Sequence, residues 1–281
     1  MQISAVIPTF NRAHTLERAI RSVTDQSSAV NEIILIDDGS SDGSALRMKQ
    51  AFPEIKLLRQ DNQGVSAARN RGIAAARCDW IALLDSDDCW HADKIEQVRH
   101  TQEEHPGFVL YHSDEIWMRN DVRVNPMQKH RKRGGRIFRH CLPLCAISPS
   151  TVVMRKDTLA ELDGFDETLP ACEDYDLWLR LCHRYPVHFI DKALITRYAG
   201  HEDQLSQRYP AMDRYRIRSL DRLLREAELS TGDHAATLDT LLSKLDILLK
   251  GAAKHANQAV LDEFGPMRER WRELSTGVQT C

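Results

Sequence analysis

The chain contains no Cys-x-x-Cys pair; its seven cysteines, at positions 78, 89, 141, 145, 172, 182 and 281, are odd in number and scattered. That pattern argues against a disulfide framework and a zinc ribbon, and leaves reduced thiols as the expectation. An excess of one charge is missing too: 38 Lys and Arg face 41 Asp and Glu, a formal net charge of -3. No nucleic-acid partner is therefore expected, and an anionic ligand has to be met by a local patch. Long apolar runs are absent. None approaches the ~18 uncharged residues of a membrane span, and the N-terminus enters an apolar strand without a basic leader, so a cytoplasmic location is expected. No internal repeat or sustained heptad occurs.

What is present is 281 residues, 42% hydrophobic and 28% charged, enough for one large domain with or without an appendage. The first half alternates strand and helix patterns. Ile3 to Pro8 is an apolar run closed by Pro8-Thr9-Phe10-Asn11, and Leu16, Ala19, Ile20 and Val23 follow at helical spacing. Glu32 to Asp37 repeats the plan with unbroken apolar residues, typical of a parallel strand covered on both faces, before the polar turn Asp38 to Ser44. A third strand is expected over Ile55 to Arg59, a small-residue helix from Gly64, and a fourth strand over Trp80 to Leu84. This order implies a mainly parallel, doubly wound sheet whose ligands lie beyond the carboxyl ends of the strands. The turns at Thr9 to Arg12, Asp37 to Ser44, Asp61-Asn62 and Asp85 to Asp88 should then converge on one crevice. Further on, a helix is expected over His91 to Glu104, a strand over Phe108 to His112 with a return strand over Glu115 to Arg119, a strand over Thr151 to Arg155, and a short helix over Leu159 to Phe165.

Asp85-Ser86-Asp87-Asp88 follows the fourth strand directly. Carboxylates this close raise each other's pKa; a hard divalent ion neutralises them in one reading, and a solvated acidic turn capping the next helix is the other. Glu173-Asp174 opens a helix whose apolar positions Leu177, Trp178 and Leu181 share a face. A helix dipole alone favours carboxylates there, and the same place can hold a catalytic base rigidly. Lys129, Arg131, Lys132, Arg133, Arg136 and Arg139 flank Gly134-Gly135, as a mobile solvated loop or as a clamp for phosphate or an anionic membrane surface. From Tyr209 helix formers dominate. Leu220, Leu223, Leu224 and Ala227 form one stripe, and Leu238, Leu241, Leu242, Leu245, Leu248 and Leu249 a second. A third helix, His255 to Trp271, is expected to be interrupted at Gly265-Pro266. Such stripes pack on the main domain, or serve a homodimer or a membrane surface.

Five segments stand in register: Val6-Ile7-Pro8-Thr9-Phe10-Asn11-Arg12, Ile36-Asp37-Asp38-Gly39-Ser40-Ser41-Asp42, Asn62 to Gly72 (NQGVSAARNRG), Leu84-Asp85-Ser86-Asp87-Asp88 and Glu173-Asp174. In order and spacing they resemble family 2 glycosyltransferases over residues 1–206. The resemblance implies an α/β GT-A fold, Rossmann-like, with a mixed, mainly parallel sheet flanked by helices. It implies a nucleotide-sugar-binding half over 1–120 and an acceptor and catalytic-base half over 121–206. Residues 207–281 remain as a C-terminal helical extension. It further implies inverting transfer from a nucleotide-diphospho-sugar to a hydroxyl acceptor, as in cell-surface polysaccharide, lipopolysaccharide or other glycan assembly, and says little about the acceptor itself. Mn2+ or Mg2+ is the implied cofactor. The basic stretch Lys129 to Arg139, not the resemblance, motivates a glycan or lipid-linked acceptor that carries phosphate, or peripheral contact with the inner face of the membrane.

Carried over residue by residue, the resemblance assigns Pro8, Thr9, Asn11 and Arg12 of the first segment and Asp38 and Gly39 of the second to the nucleotide. A carboxylate at position 38 can accept the imide hydrogen of uracil or thymine, which makes a UDP- or dTDP-sugar the expected donor. Asn62, Gly64, Arg69, Asn70 and Arg71 fall to the base or diphosphate, and Asp85, Ser86 and Asp87 to the sugar nucleotide. Asp87 and Asp88 match metal positions, joined by His201 in a late segment. Asp174 matches the base, supported by Glu173. Two alternatives share some of these features. A haloacid-dehalogenase-like phosphatase also carries Asp-x-Asp after an apolar strand, though normally the first strand, and a threonine or valine usually stands where Cys89 does. A non-catalytic nucleotide-sugar-binding member of the same fold would keep the crevice without turnover. A nucleotidyltransferase lacks support, because Pro8-Thr9-Phe10-Asn11 stands where its Gly-rich basic loop belongs.

Overall fold

Four parallel strands build one side of the sheet: β1 (Ile3–Thr9), β2 (Glu32–Asp37), β3 (Lys56–Arg59) and β4 (Trp80–Leu83), joined through helices α1 (Leu16–Thr24), α2 (Ser44–Ala51) and α3 (Val65–Ala75). The computed structural model describes residues 1–120, 122–125, 127–200, 209 and 211–277, with the side chains of 276 and 277 left aside. Side chains alternate across a strand, and the β1 sequence uses both faces. Ile3, Ala5 and Ile7 pack with Leu16, Ala19, Ile20 and Val23 of α1, while Val6 joins Ile34, Ile36 and Ala68 on the α3 side. Gly72 lets α3 lie close, since a Cβ there would stand 2.5 Å from Val6 Cγ1 and 2.6 Å from Ile36 Cδ1.

Beyond β4 come β5 (Cys89–Trp90), α4 (Lys94–Glu104), β6 (Leu110–Arg119), β7 (Val122–Val124), α5 (Phe138–Cys141), β8 (Val153–Arg155), α6 (Lys156–Glu161), α7 (Glu173–Cys182) and β9 (His188–Ala199). The sheet runs β3-β2-β1-β4-β8-β6-β9-β5, with β7 paired to β6. One expectation is overturned here. Residues 110–119 form a single strand rather than a hairpin, because Ser113 and Asp114 sit at register shifts against β9 instead of in a turn. The return strand is β7, opposite Trp117 to Arg119. The long strand β9, parallel to β6, carries no expectation from the sequence patterns.

Three helices close the chain: α8 (Asp213–Glu226), α9 (Thr231–Lys254) and α10 (Gln258–Gly277). Ser230 caps α9, its Oγ accepting from the Asp233 N–H at 3.2 Å. The expected break at Gly265-Pro266 does not occur; α10 runs through Pro266. Its buried face, Val260, Phe264 and Trp271, holds it against α9 despite the hydrogen bond that proline cannot donate. The leucine stripes are consumed within the chain: Leu220, Leu224, Leu241, Leu245 and Leu249 lie in the same apolar core as Leu177, Trp178 and Leu181 of α7. Among the described residues no helix is long and apolar enough to cross a membrane.

Candidate active site

The ends of β1, β2 and β3 are stitched together by Asp38. Its N–H donates to Thr9 O at 2.9 Å, and its carboxylate accepts from Gln60 Nε2 at 2.8 Å, Gln63 N at 2.9 Å and Gly64 N at 2.9 Å. A carboxylate offers about four acceptor positions, so about one remains for a ligand. Gly39 needs its left-handed φ of 82°, and a Cβ there would stand 2.9 Å from the Asn62 nitrogen. Asn62 Nδ2 donates to Asp38 O at 3.0 Å. Asn11, also left-handed at φ 51°, accepts from Ser41 N through Oδ1 while its own N–H donates to Ser40 Oγ, both at 2.9 Å. Pro8 and Thr9 are buried, and Thr9 Oγ1 has no hydrogen-bond partner. Arg12 reaches the acidic turn electrostatically, through Asp87.

The acidic turn is closed by the Asp88 N–H donating to Asp85 O at 3.0 Å. Ser150 holds it from behind: its hydroxyl donates to Asp88 Oδ2 at 2.6 Å and its Oγ accepts from Asp85 N at 3.1 Å. The Tyr198 N–H donates to Asp88 Oδ1 at 3.2 Å, and Arg18 donates to Asp87 O at 2.9 Å with its guanidinium 3.6 Å over the Tyr198 ring. Burial, then the charges of Asp87 and Asp85, push the Asp88 carboxyl well above its ordinary pKa. Burial and Asp85 raise Asp87 as well, against the pull of Arg12 and Arg197. Ser86 is buried in the same turn. Among the described residues no ready-made cage of three or more His, Cys, Asp or Glu side chains converges. The neighbouring carboxylates of Asp87 and Asp88, oxygen donors whose charge is disfavoured by burial and by the other carboxylates of the turn, nevertheless suit Mg2+ or Mn2+, which take one or two protein carboxylates and complete their shell with substrate phosphate and water.

Arg69 joins this turn to the helix that bears the second acidic pair. Fully within the fold, its guanidinium donates to Asp85 Oδ1 at 2.6 Å and to Glu173 Oε1 at 2.7 Å. Burial opposes its charge, but the two carboxylates outweigh burial and raise its pKa. Glu173 is itself raised, by burial first and then by Asp174, with Arg69 pulling the other way. Asp174 is half-buried; its Oδ1 accepts from Tyr175 N at 2.6 Å and its Oδ2 from the Cys145 thiol at 3.2 Å. Burial and then Asp174 push that thiol well above its ordinary pKa, so Cys145 remains a neutral donor. Arg197 on β9 completes the centre. Burial works against its charge, yet Glu115, Asp88, Asp174 and Asp85 together raise its pKa. Neither Arg197 nor Cys145 stands out in the sequence, where each is an isolated residue outside any spacing rule. Arg197 does belong to the same segment as His201, which was the available signal.

Other assigned residues lie elsewhere. Asn70 has its amide engaged by the loop before α7, donating to Phe165 O and Glu167 Oε1 and accepting from Phe165 N. Arg71 donates to Arg59 O at 2.7 Å at the end of β3. His201 lies outside the described residues. The basic stretch is anchored rather than loose. Lys132 is buried beside Glu115, Nζ to Oε1 at 3.3 Å, His112 Nε2 bonds Arg133 O at 2.9 Å, and Gly135 pairs with Val187. Lys129, Arg131, Arg133, Arg136 and Arg139 stay exposed, with Arg139 tied to Asp233. The six described cysteines are all free thiols.

A carboxylate-lined crevice at four parallel strand ends, faced by a helix that opens on two further carboxylates, defines the GT-A class of glycosyltransferase. The chain belongs to glycosyl transferase family 2, whose sequence model matches residues 4–162. The phosphatase alternative falls with that match. Over 181 residues, 64% of this chain and 69% of the relative, it is 31% identical to the UDP-Glc:alpha-D-GlcNAc-diphosphoundecaprenol beta-1,3-glucosyltransferase WfgD of Escherichia coli. It is 27% identical over 180 residues to an uncharacterized glycosyltransferase of Haemophilus influenzae, an alignment that takes 64% of this chain but spans only 61% of that relative. The S. aureus TarS 1-349 structure in complex with UDP-GlcNAc shares the fold, with a TM-score of 0.69 at 19% identity, over 87% of this chain and 72% of that one.

Proposed function

We propose that the chain is an inverting glycosyltransferase that moves a sugar from a uridine or thymidine diphosphate sugar to a hydroxyl of a lipid-linked glycan, working at the inner face of the membrane. The observation that carries the reading is the Arg69 bridge, which ties the acidic turn at Asp85 to the helix start at Glu173, the neighbour of Asp174. Asp174 takes the proton of the acceptor hydroxyl as its oxygen attacks the anomeric carbon, and the bond from that carbon to the diphosphate breaks. Asp87 and Asp88 would hold Mg2+ or Mn2+, which would supply compensation for the negative charge of the diphosphate. Arg197 adds a fixed positive charge nearby. The buried, unpartnered Thr9 Oγ1 and the remaining acceptor position of Asp38 supply hydrogen bonds to the base.

A panel of nucleotide sugars with Mn2+ or Mg2+, read by nucleotide diphosphate release, tests the donor. Uridine or thymidine donors should turn over well above guanosine and cytidine ones; a flat profile would remove Asp38 and Thr9 from base selection. The acceptor class rests on the diphosphoundecaprenol-linked acceptor in the name of WfgD and on the exposed Arg131, Arg133 and Arg136. Co-sedimentation with anionic vesicles should weaken with salt and with charge reversal of Arg131, Arg133 and Arg136. No binding at low salt would remove the membrane from the account. Lys132, buried against Glu115, is excluded from that surface.

A further inference from the structure

The catalytic-base helix is held at its first turn by a residue far outside the family match. Asp176, two positions after Asp174 and 2% exposed, receives Arg222 Nη2 of α8 on both carboxylate oxygens at 2.6 Å and Arg180 Nε at 2.8 Å. The other arm of Arg222, Nη1, donates to Asp166 Oδ2 at 2.5 Å, in the loop that leads into α7. Arg180 reaches the same loop, donating to Gly164 O at 2.8 Å. The residue that opens the helix, Cys172, is held left-handed at φ 64°, with its thiol directed at Met212 O, 3.7 Å away at the start of α8. Thus α8 grips α7 at the turn that carries Glu173 and Asp174, and again just before it.

We infer that Arg222 is a positioning residue for the base: by clamping Asp176 and Asp166 it fixes the first turn of α7 and with it the direction of the Asp174 carboxylate. The inference rests on the reading of Asp174 as the base. A planar guanidinium suits the task because its two arms, Nη2 on Asp176 and Nη1 on Asp166, are rigidly joined and so fix the two carboxylates relative to each other. Misplacement of a catalytic group by about 1 Å can lower turnover by about 100-fold. Arg222 also lines a cavity of about 510 Å³ shared with Asp166, Asp176 and Arg180, through which a small cation can reach the place of its side chain.

The test compares wild type, Arg222→Met, Arg222→Lys and Asp174→Asn by UDP release from UDP-glucose and UDP-N-acetylglucosamine with water as acceptor, and by UDP affinity. Arg222→Met should lower turnover about tenfold or more with UDP affinity within about twofold of wild type. Methylguanidinium, entering the cavity, should restore part of that turnover without stimulating wild type or Asp174→Asn, and Arg222→Lys should fall between. Unchanged turnover per folded molecule, or a loss of UDP affinity in step with turnover, overturns the inference. Should Arg222→Met fail to fold, Asp166→Asn removes one arm of the clamp; it should lower turnover at constant UDP affinity, and unchanged turnover there overturns the inference too. No UDP release from either sugar by wild type, or undiminished release by Asp174→Asn, instead overturns the reading of the site whatever Arg222 does.

Discussion

Arg69 has one guanidinium and two carboxylate partners, and both partners belong to segments that the proposed function assigns to the donor or the acceptor. Replacing it by Met leaves Asp85 and the buried Glu173 without a counter-charge, which costs about 3–5 kcal/mol when the pair is buried. Urea unfolding of Arg69→Met should show a loss of that order; a loss under about 1 kcal/mol would mean the bridge is ornamental. His112 makes a second residue-level prediction. Burial, then Lys132 and Lys94, push its pKa down to about 3, against the Arg133 carbonyl and Glu115. The unfolded chain takes up a proton near pH 6.5 that the folded chain refuses, so the stability is whole above that pH and is lost as pH falls toward 3. Between pH 7 and 4.5 wild type should lose about 2 kcal/mol that His112→Gln does not, and parallel urea curves for the two would contradict the assignment. Residues such as Thr9, Asp38 and Asp85 were legible because each is the polar residue that ends an apolar strand. Arg197 and Cys145 were not, since only the three-dimensional approach of β9 and of the loop before β8 places them beside Asp88 and Asp174.

At the scale of elements, the parallel half was readable because β1, β2 and β4 are buried on both faces and each ends in a turn with a distinct composition. The second half was not. In β9 the charged pair Asp191-Lys192 interrupts the apolar residues, and the register shift against Ser113 to Glu115 breaks the period of two that marks a strand. The same bulge made one strand, β6, look like two. Helix α3 offers a direct test of close packing. Alanine is a better helix former than glycine by about 1 kcal/mol, yet a methyl at Gly72 meets Val6 and Ile36, both fully buried with no room to give. Gly72→Ala should therefore destabilise by about 1–3 kcal/mol, seen as a lower melting temperature; a higher one would show that α3 sits less tightly on β1 and β2 than described.

For the molecule as a whole, the C-terminal helices are not an accessory. Motif spacing ends near residue 206, but the apolar core does not: Ile217, Leu220 and Leu241 share it with Leu177 and Leu181 of the base helix. A chain ending at residue 206 should therefore expose apolar surface, bind a hydrophobic dye and lose its cooperative transition, whereas a soluble, cooperatively unfolding fragment would contradict the shared core. The larger claim is that the strand-end crevice handles the donor while Asp174, held opposite, activates the acceptor. Its most direct test is the rate of nucleotide diphosphate release at saturating donor in wild type and Asp174→Asn, with UDP affinity measured in parallel. The account predicts a fall of about 10³-fold at unchanged affinity, and a rate within a few-fold of wild type would contradict it.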